Sequence, residues 1–319
     1  MLITRLPDGN HRVYISGELE KELHEAEDHK SVFQKGLDLF ASGTRLNKSQ
    51  KATIWKIYRK IAEDYSRGNV FLVGDACHVR SPAGGQGMNC CMMDAFNLGW
   101  KLASVIQEHS PRSILDTYKE ERKPVAQMVQ GFAELIHNVL FDHSRSIEER
   151  IINTRDKAWH DECIYGISGI SHSYREIAWQ PEGFSKIPDG PAAGERAPNA
   201  KLNEAPLLWL HDVFRHTGAT LLLMPASESE LDICKKIIAG VERDYAQSVK
   251  AVIAFSKQLP GVGIKKLHLC NTGELERWYG SGKTGRMHLI RPDLYLGYSG
   301  LITEESALYE YLSRWFKIV

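Results

Sequence analysis

The sequence predicts a mixed α/β (α+β) chain of two domains, and three observations predict it. An apolar run, Asn69-Val70-Phe71-Leu72-Val73, ends in Gly74-Asp75 and leads through a Pro- and Gly-rich loop into a long helical pattern. A segment from about Gln180 to Pro206 carries Pro181, Pro188, Gly190, Pro191, Gly194, Pro198 and Pro206 with few large apolar residues, as a linker does. Beyond it the pattern changes to short apolar strands and helical stretches in the order βαβ…ββα. The expected domains are therefore 1–180 and 181–319.

The elements follow in order. Residues 1–18 read as one or two strands around a Pro7-Asp8-Gly9-Asn10 turn. Residues 19–50 are charged, with a helical pattern around Val32, Leu37, Leu39 and Phe40. Trp55-Lys56-Ile57-Tyr58, within residues 52–66, reads as a return strand. The strand ending at Gly74 comes next, then a helix from about Gln86 to Ile106. A second long helix, from about Pro111 through Leu140, carries Ile114, Leu115, Tyr118, Val125, Val129, Phe132 and Ile136 on one face. Pro124 falls inside it and predicts a kink or break. A charged helical stretch covers 142–161. After the linker come a strand over Thr220–Met224, a helix over Glu228–Gly240, and strands over Ala251–Phe255 and Lys265–Leu269. A short helix over Glu274–Tyr279, a hairpin of Arg286–Ile290 with Leu294–Gly297, and a closing helix over Glu304–Phe316 complete the chain.

Composition narrows the function classes. A chain of 319 residues, 43% apolar and 25% charged, is an ordinary globular sequence with room for two domains. Forty basic residues against forty acidic ones argue against a broad electrostatic surface for nucleic acid. No apolar run reaches membrane-spanning length, and the N-terminus lacks a basic region followed by an apolar core. Six cysteines, Cys77, Cys90, Cys91, Cys163, Cys234 and Cys270, show neither CxxC nor metal-ligand spacing. They read as reduced thiols of a cytoplasmic protein, with no metal. On a helix, Cys90 and Cys91 would point different ways.

The richest stretch runs from Gly74 to Leu102, GDACHVRSPAGGQGMNCCMMDAFNLGWKL. A buried strand ending in a carboxylate, then a Gly-rich loop opening a helix, can hold an anionic or hydrogen-bonding ligand. The loop amides and helix N-terminus would point at it with about half a unit of positive charge. This stretch resembles the flavin-contacting segment of the class A FAD-dependent aromatic hydroxylases, in the branch of phenol 2-monooxygenase and 3-hydroxybenzoate 4-monooxygenase. The matching residues are Gly74, Asp75, Ala76, Cys77, His78, Ser81, Pro82, Gly85, Gln86, Gly87, Met88, Asn89, Asp94, Asn97, Leu98, Trp100, Lys101 and Leu102. The resemblance continues through Leu115-Asp116-Thr117-Tyr118, Glu121 to Ala126, Gly194 to Pro198 and Ile290 to Asp293.

The resemblance implies FAD as cofactor, NAD(P)H as co-substrate, and hydroxylation of a small aromatic substrate with O₂. It implies that Gly74 and Asp75 serve the ribityl hydroxyls, and that Pro82 stiffens the loop over the isoalloxazine. Gly85, Gln86, Gly87, Met88 and Asn89 would offer backbone amides to the N1–C2=O edge. Read alone, Asp75 is equally a helix-cap or turn residue, and Pro82 a turn proline. His78 is expected to be structural, Asp94 and Asn97 to bond backbone or neighbouring loops, and Trp100 and Leu102 to be core. Val79 and Arg80 stand where Thr and His are usual, Ala83 replaces a frequent Lys, and Cys91 replaces Gly or Ser. The larger Cys91 is expected to crowd the loop.

The resemblance also implies a C-terminal thioredoxin-like domain, here without CxxC, suited to packing or dimer contact. A GxGxxG turn leading from a strand into a helix, the ADP-binding unit of the family, is not expected in this chain. The chain is therefore expected to be truncated, with the family's substrate-side arginine and tyrosine upstream of Met1 and the catalytic residues unassigned. Edges left bare by such a truncation predict a homodimer, or a heteromer with an N-terminal-half chain. Two other readings stay open: a degenerate, non-catalytic binding or dimerisation module, and a flavin-independent enzyme reusing the aromatic pocket.

Overall fold

The structure is a computed structural model that describes residues 2–14, 22, 29–48, 56–141, 146, 149, 152, 155–182, 187, 189–204, 207–255, 267–269, 273–280 and 283–318. The chain forms two compact units, residues 1–58 and 59–319. In the first, β1 (Leu2–Arg5) pairs antiparallel with β2 (His11–Tyr14). The expected turn closes them: the Leu6 amide donates to the Asn10 carbonyl at 2.7 Å, and Gly9 takes φ +83°. Helix α1 (His29–Phe40) buries Val32 and Leu37 and leaves Leu39 exposed. The return strand expected at residues 55–58 is not formed at Lys56–Tyr58, where Ile57 and Tyr58 are exposed; Trp55 lies outside the described residues.

The second unit opens with four two-residue strands, β3 (Lys60–Ile61), β4 (Ser66–Arg67), β5 (Val70–Phe71) and β6 (His78–Val79). β3 pairs with β6 and β4 with β5, both antiparallel. The strand expected over 69–73 is thus short, and the chain turns at Gly74–Ala76 in a single 3₁₀ turn. Tyr118 fixes this entry, donating from its hydroxyl to the Leu72 carbonyl at 2.9 Å while its ring packs on fully buried Tyr65. Helix α2 (Gly87–Ile106) follows, then α3 (Thr117–Phe141) and α4 (Lys157–Ser168). α3 runs through Pro124 without the expected break. Tyr118, Glu121 and Arg122 before the proline and Val125, Ala126 and Val129 after it are all buried, which holds both halves to the core. Most of 142–154 lies outside the described residues.

A small hairpin, β7 (Lys201–Glu204) and β8 (Leu207–Trp209), leads through α5 (Leu210–Val213) to β9 (Ala219–Met224), α6 (Leu231–Asp244), β10 (Val249–Phe255) and β11 (Leu267–Leu269). Helix α7 (Glu274–Tyr279), β12 (Arg286–Ile290), β13 (Leu296–Leu301) and α8 (Glu305–Trp315) close the fold. The five-stranded sheet has the order β11-β10-β9-β12-β13. β9, β10 and β11 are parallel, while β12 and β13 are antiparallel to their neighbours. Every residue of β9 is buried, as a central strand covered on both faces requires. Leu221 and Leu223 pack with Ile237 and Val241 of α6 and Leu308 and Leu312 of α8. Leu222 and Met224 pack on the other face with Leu210, Phe214 and Leu275. Burying each such side chain contributes about 1.5–3 kcal/mol.

Two buried ionic clusters tie α2 and α3 to what surrounds them. In the first, Asp94 of α2 accepts from Arg122 Nε of α3 at 2.7 Å and pairs with His78 Nε2 at 2.6 Å. Arg122 donates on to the Tyr174 hydroxyl at 2.9 Å, and Tyr174 stacks on Tyr295 at 4.2 Å between ring centroids. In the second, Glu121 of α3 accepts from Arg291 Nη1 at 2.7 Å, Arg291 Nη2 at 2.8 Å, Lys101 Nζ at 2.8 Å and Asn97 Nδ2 at 2.7 Å. Asp293 accepts from the same Arg291, at 2.6 Å to Nη2, and from Asn97 at 3.0 Å. Asn97 thus reaches a neighbouring loop, at Asp293, as expected, as well as Glu121 of α3, whereas Asp94 bonds side chains of β6 and α3 rather than backbone or loop groups. Gly194, at φ +84°, is required between these parts: a Cβ there would lie 2.5 Å from the backbone of Tyr174 and Arg175. Its carbonyl accepts from the Tyr174 amide at 2.8 Å and its amide donates to Leu296 at 2.7 Å.

These clusters give a pH dependence with a definite sign. Burial lowers the pKa of His172 to about 4 and of His288 to about 3 from an ordinary 6.5, so both stay neutral when folded. The unfolded chain then binds protons that the native chain does not, and stability falls as pH drops from 6.5 toward 4. Burial is the largest single influence on His78 and opposes its charge, but hydrogen bonds to Asp94 and Cys90 and the charges on both together outweigh it and raise the pKa to about 9. That contribution is complete below pH 6.5 and declines above it. Lys101, which burial lowers to about 8, offsets the decline only above pH 8. Urea midpoints are expected to peak near pH 6.5 and fall on both sides between pH 4.5 and 8. A midpoint rising steadily to pH 8 would contradict the assignment of His78.

Candidate functional site

The 3₁₀ turn places Asp75 on the surface and Gly74 beneath it. Gly74 takes φ +62°, and a Cβ there would sit 2.9 Å from Cys91 Cβ. Cys91, one turn into α2, therefore packs directly on the glycine, and its thiol donates to Asp75 Oδ1 at 3.3 Å. Burial first, then Asp75, pushes the thiol up to about 12, so it keeps the proton it donates. The crowding expected of Cys91 falls on Gly74 and Asp75. Cys90 points the other way and is buried against Arg122, whose Nη2 reaches its carbonyl at 3.4 Å.

The loop that follows is held from below and bare above. Ser81 Oγ accepts from the Ala83 amide at 3.3 Å and shares a hydrogen bond with His137 Nδ1 at 3.1 Å. Gly85 donates to the Pro82 carbonyl at 3.0 Å. Pro82, Gly85, Met88 and Asn89 are exposed, and a Cβ added at Gly85 or Gly87 would meet nothing within 4 Å. Gln86 differs from the rest: its side chain is buried and donates to the Gly166 carbonyl of α4, which anchors the loop. It caps α2 only through its backbone, and the first turn holds no acidic residue. The positive end of a 20-residue helix is left facing outward beside the Asp75 carboxylate.

His78 is buried in the ion pair with Asp94, a structural place as expected. His78, Cys90 and Asp94 bring potential metal-ligand atoms within 4.8 Å of one another. Both Asp94 oxygens are already taken, by His78 and Arg122, and the guanidinium repels a second cation. The group is an ion pair by its chemistry. The roles of Arg122, Tyr174 and Arg291 were not visible in the sequence as contacts, although Arg122 and Arg291 lie within the resembling segments.

The string Gly280-x-Gly282-x-x-Gly285 does have GxGxxG spacing, against the expectation that no such turn serves here. It runs from the end of α7 to the start of β12, helix to strand, the reverse of a phosphate-binding turn. Among the described residues no helix is long and apolar enough to cross a membrane.

Residues 3–133 match the FAD binding domain family model. Pentachlorophenol 4-monooxygenase of Sphingobium chlorophenolicum is 36% identical over 298 residues, which are 93% of this chain and 54% of that protein. The OxyS anhydrotetracycline hydroxylase from Streptomyces rimosus superposes with a TM-score of 0.55 at 26% identity, over 80% of this chain and 46% of that one. BexE, from studies of oxidation during BE-7585A biosynthesis, shares the fold over 99% of this chain and 59% of its own, with a TM-score of 0.63 at 21% identity. The chain spans about half the length of these relatives. With the Gly74–Leu102 segment and its buried partners in place, the chain carries a match to the FAD binding domain over residues 3–133 and is similar, over about half their length, to FAD-dependent monooxygenases.

Proposed function

We propose that Gly74, Asp75 and the loop from Pro82 through Gly85, Gln86, Gly87 and Met88 to Asn89 form the ring and ribityl side of an FAD site. The protein it serves is an NAD(P)H- and O₂-dependent hydroxylase of small aromatic compounds. The observation that carries this is the uncapped N-terminus of α2 beside the exposed Asp75 carboxylate. The residues present fit the group. Bound flavin supplies hydride acceptance from NAD(P)H and the activation of O₂. The first-turn amides would donate to the ring edge and favour negative charge there. Asp75 would accept hydrogen bonds from ribityl hydroxyls, which displace a weaker thiol donor. Pro82 limits the loop's freedom, and His78 stays out of the chemistry in its ion pair.

One observation favours a second reading. Cys91 sits on Gly74 and on the Asp75 oxygen that the ribityl chain needs. If that contact persists, the chain is a non-catalytic binding or dimerisation module. Calorimetry with riboflavin and FAD on the 319-residue chain separates the two. The flavin reading expects weak binding of both ligands, within about threefold of each other, no competition by ADP, and at least a tenfold loss in Asp75→Ala. The chain is accordingly expected to purify without stoichiometric flavin. Riboflavin failing to bind supports the module, and FAD binding a hundredfold tighter than riboflavin would place a nucleotide site in these residues and contradict the reading.

Association belongs to the same proposal. Met88, Met92 and Phe96, 72%, 62% and 49% exposed, lie four residues apart on one face of α2. Such an exposed apolar stripe suits a homodimer or a heteromer. The parallel βαβ and antiparallel hairpin of the C-terminal sheet support the thioredoxin-like reading of 181–319 and a contact role for it. Free cysteines support a cytoplasmic location. Sedimentation at micromolar concentration is expected to show a dimer or larger, reverting toward monomer in Phe96→Asp; a monomer throughout counts against the proposal.

A further inference from the structure

About 20 Å along α2 from the exposed loop, a cavity of about 50 Å³ opens between α2, α3, the segment around Trp179 and α8. It has room for roughly three or four waters, the volume of a carboxylate group with its adjoining carbon. Trp100, Lys101 and Glu121 line it on the buried side, and Trp179, Tyr311 and Trp315 supply aromatic walls. Trp100 was expected to be core; it is half-buried here, and its indole N–H is buried with no hydrogen-bond partner.

The unused hydrogen-bonding capacity of this floor is mostly donor capacity. Both Glu121 oxygens are occupied, Oε1 by Arg291 and Oε2 by Lys101, Arg291 and Asn97. Lys101 is fully buried, and its ammonium makes one hydrogen bond, to Glu121, out of three available donors. Together with the Trp100 N–H, unused donors remain on Trp100 and Lys101; the acceptors close by are the buried, unpartnered Asn97 Oδ1 of the same cluster and the Glu120 carboxylate, which lines the cavity from its exposed side. A buried donor without a partner is destabilising, so an acceptor entering the cavity is favoured. At the outer side, the Arg314 guanidinium lies over Trp179 at 4.6 Å and over Trp315 at 5.2 Å, adding a cation beside the rings.

We propose that this cavity is a second small-molecule site, separate from the Gly-rich loop, for a carboxylate carried on a small aromatic body. The carboxylate takes the Lys101 and Trp100 donors inside the cavity, and the aromatic body, for which the cavity has no room, lies at its mouth against Trp179 and Trp315. Its occupant bridges α2 and α3 to α8. The inference does not rest on the flavin reading.

Calorimetry on the full chain tests it, with phenylacetate as probe and phenylacetamide as its neutral counterpart. One phenylacetate is expected to bind per chain, at least tenfold more tightly than the amide. Trp100→Phe keeps the ring and removes only the N–H, and is expected to weaken phenylacetate about tenfold. Lys101→Met is expected to do the same where circular dichroism shows it folded; Trp100→Phe carries the test if it is not. Asp75→Ala, in the loop site, is expected to leave binding unchanged. No binding at millimolar phenylacetate overturns the proposal, as does equal binding of the amide. Loss of binding in Asp75→Ala with retention in Trp100→Phe would place the ligand in the loop instead and also overturn it.

Discussion

The Glu121 carboxylate is the point on which the second unit depends. It lies on α3, one residue before Arg122, and gathers a lysine and an asparagine from α2 and an arginine that follows β12. Burial alone would raise its pKa, yet Arg291 and Lys101 hold it well below the usual carboxylate range. Arg122, its neighbour, faces the other cluster and carries Asp94 and Tyr174. Two consecutive residues of one helix thus fix α2 on one side and the approach to the C-terminal sheet on the other. Buried charges of this kind add little net stability over an apolar core, but each partner becomes costly to lose.

That constraint shapes the candidate site indirectly. The buried side chains of Asp94, Asn97 and Lys101 fix where α2 lies, and so where its first turn ends. The loop before it is anchored by Gln86 on α4 and by Ser81 with His137 on α3, which leaves Gly85 and Gly87 bare. An open cradle on a rigid base is the arrangement a planar, hydrogen-bonding ring needs. Cys91 intrudes on it, packing so close to Gly74 that a Cβ there would sit 2.9 Å from its own.

Much of this was legible in the sequence. Helix α2 begins within one residue of its expected start because the glycine-rich loop and the apolar period both mark it. The sheet strands were legible because continuous apolar runs leave little else for buried segments to be. The strand at 69–73 was overestimated, since Gly74 and the Tyr118 contact to Leu72 end it early. Pro124 misled because a proline's local cost is met by buried neighbours on both sides, which periodicity cannot weigh. The ionic clusters were hidden for a different reason: Glu121 and Arg291 are 170 residues apart, and a pairing at that distance leaves no local pattern.

The most direct measurement of this account is the urea unfolding of Glu121→Gln, followed by circular dichroism and by tryptophan fluorescence. The substitution leaves the fully buried Lys101 without its carboxylate partner and the mostly buried Arg291 with Asp293 alone. The account predicts a loss of about 3–5 kcal/mol, as when one partner of a buried ion pair is removed, with both probes shifting together. A loss under about 1 kcal/mol, within the range of ordinary surface substitutions, would show that the helices and the C-terminal sheet are held by something other than this carboxylate.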